Sequence, residues 1–301
     1  MPENSNGKRG SSSPRREDNQ SPVITGTKSP SGERLVIAAI QMTSGNDIGP
    51  NTDAAISLLR EAGRRGAAMA GLPECFSFMG KEADRPRIAE DVDGPTIGKI
   101  RETARELRMT VLAGSISERY SADPGRVFNT SVLIDDEGEI SAVYRKIHLF
   151  DVELEDARAL RESKFTMAGD DVVTGEAGGI RHGLTICYDL RFPELYRRLD
   201  EEGSELIWVP SAFTLATGKD HWEVLVRARA IENGTYVAAP AQFGRHSPKR
   251  STYGNAMIVD PWGKVLARAP DRANTMAVAE IDLSYRDEVR QAMPTWRHHV
   301  L

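Results

Sequence analysis

Apolar runs of strand length recur along this chain, with stretches of helical spacing between them. Leu35–Met42, Ala67–Leu72, Thr110–Ile116, Ile180–Cys187, Leu206–Pro210 and Tyr236–Ala239 carry few polar residues, as strands covered on both faces do. Tyr253–Val259, Val265–Arg268 and Met276–Ile281 read as further strands. Thr52–Arg65 sets Ala54, Ala55, Leu58, Leu59 and Ala62 at helical spacing. Gly98–Leu107, Pro193–Glu202 and His221–Asn233 also read as helices. Val127–Ile134 and Glu139–Tyr144 flank the turn sequence Asp135-Asp-Glu-Gly138, which predicts a hairpin. Buried strands interleaved with helices predict an α/β layered domain.

Order is expected from Arg34 onward. No Pro/Ser/Gly-rich linker interrupts residues 34–301, so one domain is expected there. Of residues 1–33, 15 are Ser, Pro or Gly, and the sizeable apolar ones are Met1, Val23 and Ile24. Such a segment buries too little surface to offset its ordering entropy, so 1–33 is expected to be a disordered tail. It has no apolar core of the kind a secretory signal needs.

Composition excludes several classes. Lys and Arg number 39 against 44 Asp and Glu, a net charge of −5. Without a basic excess there is little to displace counterions, so no nucleic-acid partner is expected. The densest apolar run, Leu35–Ile40, is far short of the roughly 20 residues of a membrane-spanning helix. Two cysteines, Cys75 and Cys187, cannot staple a chain of this size. They point to a reducing compartment, with cytoplasm as the expectation. The chain lacks H-E-x-x-H, paired Cys-x-x-Cys, G-x-x-x-x-G-K-[ST] and G-x-G-x-x-G motifs, so no metal and no organic cofactor are expected.

Candidate chemistry sits where apolar runs end. In Gly183-Leu-Thr-Ile-Cys187-Tyr-Asp-Leu-Arg-Phe-Pro193-Glu194 a strand runs into Cys187, and Pro193 offers a helix start. A cysteine there fits a presented nucleophile, although a free cysteine at a strand end is more commonly a small buried hydrophobe. Glu74 follows the run ending at Leu72-Pro73. It fits a buried general base or an exposed loop acid. Lys146 closes the run ending Val143-Tyr-Arg145. It fits an oxyanion-stabilising ammonium or a surface cation beside Arg145.

The three segments together resemble the carbon–nitrogen hydrolases of the nitrilase superfamily. The matching motifs are Leu72-Pro-Glu74-Cys-Phe, Tyr144-Arg-Lys146-Ile-His-Leu-Phe-Asp151 and Ile186-Cys187-Tyr-Asp-Leu-Arg-Phe-Pro-Glu194, and the resemblance covers residues 34–301. It implies a four-layer α-β-β-α sandwich whose subunits pair into an eight-layer homodimer or a higher homo-oligomer. It implies a Glu74–Lys146–Cys187 triad, with Glu162 as a second glutamate supporting the lysine. It also implies a small-molecule amide substrate, cleaved through a Cys187 thioester with release of ammonia, Tyr188 N–H and Lys146 facing the oxyanion.

Arg191, four residues after Cys187, fits a substrate-carboxylate anchor or a partner of Glu194 or Asp189. By the same resemblance, Phe213 and Thr217 edge the pocket, with Glu223 a further contact, whereas Trp222, at a helix start, reads as core by its residue type. The segment from Ala239 to Gly263 looks most like the deaminated glutathione amidase branch, with omega-amidases next. Both act on 2-oxo amides. The cluster Arg245, Lys249 and Arg250 fits an anionic, peptide-like substrate or a solvated loop. After Asp151, Val152-Glu-Leu-Glu-Asp-Ala-Arg158 stands where these branches often have a Pro-Gly turn. Nitriles and N-carbamoyl amides remain open as substrates of the same triad. A Cys-His hydrolase using His148 or His221, and a non-catalytic scaffold, are the rival readings.

Overall fold

The strand Arg34–Met42 divides its side chains between two cores. Ile37 and Ala39 enter one, while Ala38, Ile40 and Met42 enter the other. Period-two geometry makes this split, and Leu112 against Val111 and Ala113 repeats it in Thr110–Arg119. A strand covered on both faces needs apolar residues at every position, which is why these runs show no polar alternation. The computed structural model describes residues 34–154, 158–248 and 250–298, with residues 1 and 300. Residues 2–33 of the expected tail, and Lys249, lie outside the described residues.

Among the described residues, one sheet has nine strands. Its path runs Arg250–Tyr253, Ala241–Ser247, Arg34–Met42, Met69–Gly71, Thr110–Arg119, Val127–Ile134, Ile140–Arg145. Thr275–Asp282 pairs antiparallel with Arg34–Met42, and Thr166–Met167 pairs with Val127–Ile134. The second sheet has six strands, in the order Val265–Arg268, Met257–Val259, Tyr236–Ala239, Leu206–Trp208, Ile180–Leu184, Thr174–Ala177. Helices α1 (Ile48–Arg64) and α2 (Pro95–Leu107) place Leu58, Leu59, Ile97, Ile100 and Ala104 on the outer face of the first sheet. Helices α3 (Pro193–Glu201) and α4 (Leu215–Asn233) contribute Leu195, Leu199, Trp222 and Val226 to the core of the second. The layering is the expected α-β-β-α. A further helix, α5 (Leu283–Ala292), follows the last strand. No described helix is long and apolar enough to cross a membrane.

The hairpin forms as its turn sequence predicts. Asp135 Oδ1 accepts from the N–H groups of Glu137 and Glu139, and Gly138 takes a φ of 78°. Other boundaries move. Helix α1 begins at Ile48 rather than Thr52, because Asp47 accepts from Gly49 N–H as its N-cap. Helix α4 begins at Leu215 rather than His221, because the Thr214 side chain accepts from Thr217 N–H. The strand expected to reach Cys187 stops at Leu184, and Cys187 opens a short 3₁₀ turn at φ 50°. Tyr253–Val259 is not one strand. Gly254 and Asn255 both adopt positive φ, and there the chain leaves the first sheet for the second.

The sheets meet closely at Gly71. A Cβ there would lie 2.6 Å from the Trp208 ring, so glycine is what lets the indole lie against this backbone.

Candidate active site

Glu74, Lys146, Glu162 and Cys187 line one cavity. Four segments of chain deliver them. Glu74 lies three residues past Met69–Gly71, in a turn held by Cys75 N–H donating to Ser115 Oγ and Gln242 Nε2 donating to Glu74 O. Lys146 follows Ile140–Arg145 directly, and its N–H donates to Asn129 O. The left-handed backbone of Cys187 is uncommon for a residue with a Cβ. Its N–H donates to Pro210 O, and Ile186 N–H donates to Asp189 Oδ2, fixing the turn from both sides.

Lys146 Nζ donates to Glu74 Oε1 at 3.0 Å and to Glu162 Oε2 at 2.9 Å. All three side chains are buried. Burial alone would lower the lysine pKa, but Glu162 and Glu74 outweigh it and hold Lys146 well above its ordinary value. Burial likewise acts to raise Glu162. Lys146 and Arg85 reverse that and hold it at about 2. The Cys187 thiol faces Glu74 and Lys146 across the cavity. Burial and the Glu74 carboxylate push it well above the ordinary thiol value, against the pull of Lys146 and the Ala212 N–H. The resting site is therefore a charged lysine held by two acidic side chains, facing a neutral thiol.

Tyr188, Arg191, Phe213 and Thr217 line the same cavity. Tyr188 packs edge-on against Phe150 and Phe192. Arg191 pairs with neither Glu194 nor Asp189. Its guanidinium donates to His221 Nδ1 and lies over the rings of Tyr188 and Phe213, and among the described residues it forms no ion pair. Asp189 is occupied by Tyr144, His148 and Ile186. The Thr217 and Thr214 hydroxyls are 2.8 Å apart.

Other expected contacts fall elsewhere. Glu223 is held off the site by Arg268 and Arg227. Trp222 is core, its Nε1 donating to Asn255 O. His148 is bound to Asp189 and His221 to Arg191, so the groups facing Cys187 are Glu74 and Lys146 rather than an imidazole. In the basic cluster, Arg250 lines the cavity, while Arg245 donates to Ser247 O.

Sequence reasoning missed Asn129, Glu82 and Arg85. Asn129 Nδ2 donates to Glu74 Oε1 and Glu162 Oε1, at 2.9 and 3.2 Å. Within Val127–Ile134 it carries no signal beyond strand. Arg85 lies in the charged stretch Glu82-Ala-Asp-Arg85, which reads as solvated surface. It is buried, donates to Cys75 Sγ at 3.3 Å and lies 3.9 Å from Glu162.

The carbon-nitrogen hydrolase family model matches residues 36–291, and the chain belongs to that family. It is thus a hydrolase acting on carbon–nitrogen bonds. A Synechocystis protein named deaminated glutathione amidase is 44% identical over 266 residues, covering 87% of this chain and 97% of that one. The human protein of that name is 40% identical over 283 residues, 92% of this chain and 86% of its own. The crystal structure of the C. elegans NitFhit protein superposes with a TM-score of 0.84 at 43% identity, over 89% of this chain and 65% of that one. Yeast Nit3, described as a member of branch 10 of the nitrilase superfamily, gives 0.78 at 27% identity, over 87% and 95%.

Proposed function

We propose that this enzyme hydrolyses the amide of a carboxylate-bearing 2-oxo acid through a Cys187 thioester. The observation that carries the mechanism is the buried Lys146 ammonium held between Glu74 and Glu162, in one cavity with the neutral Cys187 thiol. The relatives named deaminated glutathione amidase support the substrate class. Arg191 supports it too, since its fork is free of carboxylate partners among the described residues.

Cys187 Sγ attacks the carbonyl carbon as its proton passes to Glu74. The carbonyl π pair moves onto oxygen, which faces Lys146 Nζ and the Tyr188 N–H. As the oxyanion collapses the C–N bond breaks, and Glu74 returns the proton to the leaving nitrogen. Water then gives a proton to Glu74 while its oxygen attacks the thioester. The C–S bond breaks and the sulfur regains its proton. Glu162 keeps Lys146 charged and aimed throughout.

The leaving group depends on the amide. A primary amide releases ammonia. Deaminated glutathione keeps its peptide bonds, so cleavage at the 2-oxoglutaryl carbonyl releases an amine, cysteinylglycine. The test follows both ammonia and new amine from deaminated glutathione, 2-oxoglutaramate, an N-carbamoyl amino acid and a simple nitrile, each beside Cys187→Ala. Cys187-dependent turnover of a 2-oxo amide supports the proposal. Turnover confined to the carbamoyl compound or the nitrile overturns the substrate class and keeps the triad.

Pairing of two copies belongs to the same proposal. Val224 and Ile231 on α4, and Trp262 beyond it, are apolar and exposed on one protomer. Light scattering at a monomer mass across micromolar concentrations would exclude it.

A further inference from the structure

The cavity holds a second arginine without an ion-pair partner among the described residues. Arg250 enters it from Arg250–Tyr253, an edge strand of the nine-stranded sheet, and forms no ion pair among the described residues. The other cavity charges are matched. Lys146 lies between Glu74 and Glu162, and Arg85 is set against Glu162 and Glu82. Arg191 stands apart, packed on Tyr188, Phe213 and His221. Arg250 is close enough to Cys75 for its charge to act on that thiol, as Arg85 does. Cys75 is the neighbour of Glu74. Arg250 thus lines the cavity within reach of Cys75, while its strand is bridged through Thr252 to Thr214, beside Phe213.

This placement matters because Glu74 must reach the leaving nitrogen to protonate it. A 2-oxo acyl group brings one carboxylate of its own, for which Arg191 suffices, so a second carboxylate bound in this cavity belongs to the substituent on that nitrogen. Arg85 is buried and already charge-matched, whereas Arg250 is half-buried and has no ion-pair partner among the described residues. The geometry points to Arg250 as the anchor for a carboxylate on the amine side of the scissile bond. The preferred substrate is then an amide with a carboxylate on each side, Arg191 taking the acyl-side group. A guanidinium fork meets a carboxylate with two parallel charge-assisted hydrogen bonds.

This assignment rests on the amidase reading, and the test separates the two. Binding is measured by calorimetry to Cys187→Ala protein with two inert probes. Glutarylglycine has a carboxylate on either side of one amide, and glutaramate has the acyl-side carboxylate alone. Glutarylglycine should bind at least about tenfold tighter, the scale of a hydrogen-bonded charge pair. Adding Arg250→Ala should bring the two probes within about twofold, and Arg250→Lys should keep part of the preference. Equal affinities in Cys187→Ala protein, or a preference that Arg250→Ala leaves intact, overturn the assignment. The amidase reading is read separately, as Cys187-dependent turnover of 2-oxoglutaramate. Its absence alongside an Arg250-dependent preference would sink the chemistry and leave the subsite standing.

Discussion

Asn129 Nδ2 donates at 2.9 Å to Glu74 Oε1, the same oxygen that accepts from Lys146 at 3.0 Å. One carboxylate oxygen is thereby tied down, and Oε2 is left for the Cys187 proton. The amide faces the two acids at the expense of its own carbonyl, since buried Asn129 Oδ1 has no partner among the described residues. Asn129→Ala should lower kcat by about tenfold or more with a smaller change in KM, because general-base catalysis is sensitive to where the base points. Asn129→Asp should be worse, adding a third acid beside two. Steady-state kinetics of both variants check this, and an effect confined to KM would remove Asn129 from the positioning of Glu74.

Lys146→Met should abolish turnover and also weaken the fold. It leaves Glu74 and Glu162 buried without their cation, and breaking such a pair costs on the order of 3–5 kcal/mol. Adding Glu162→Leu should recover much of the stability and none of the activity. Urea denaturation and turnover on the same preparations separate the two effects. Substantial activity in Lys146→Met would favour a cysteine–histidine mechanism instead.

Gly114 lies where the strand Thr110–Arg119 bulges beneath the Glu74 turn. A Cβ at this position would overlap the carbonyl oxygens of Leu72 and Pro73, so the turn carrying Glu74 would have to move. Gly114→Ala should therefore lose activity out of proportion to the single carbon added. Gly98→Ala on α2 is the control. A Cβ there meets nothing within 4 Å, and the change should stabilise by up to about 1 kcal/mol. Similar melting temperatures and activities for the two variants would contradict this account.

His182 should make the fold acid-sensitive above the range where carboxylates titrate. It is fully buried, and burial holds it at about 4 against an ordinary 6.5. Trp208 Nε1 donates to its Nδ1, so the protonated ring would lose that bond. Above 6.5 neither folded nor unfolded chain carries the extra proton, and stability is full. As pH falls below 6.5 the unfolded chain takes up the proton first, and stability drops until the folded value near 4 is passed. The loss should reach about 2 kcal/mol by about pH 5. Glu162, held near 2, begins to cost stability only below its ordinary 4.5, so the windows separate. His182→Gln should flatten this slope. Parallel denaturation profiles for variant and wild type would refute the assignment.

The layers and the floor of the site were legible because their signals are local. Apolar runs such as Leu35–Met42 announce buried strands, and Glu74, Lys146 and Cys187 each stand just beyond one. Glu162 joined them only through the family resemblance, since Arg161-Glu-Ser-Lys164 alone reads as surface. What stayed hidden depends on contacts distant in sequence. Asn129 is 55 residues from Glu74, and nothing beside it marks a polar group aimed at an acid. Arg85 reads as solvated until the fold closes over it. The break at Gly254 and Asn255 was missed because apolar residues on both sides imitate one continuous strand.

The close approach of Gly71 and Trp208 sets a dimension of the catalytic machinery. Glu74 hangs from the sheet that contains Gly71, and Cys187 from the sheet in which Trp208 pairs with Leu184. Base and nucleophile thus belong to separate slabs, and the thickness of one indole ring is the shim between them. An enzyme assembled this way holds its proton-transfer distance through aromatic packing that no substrate touches, so catalytic alignment can be lost by repacking far from the reacting bond.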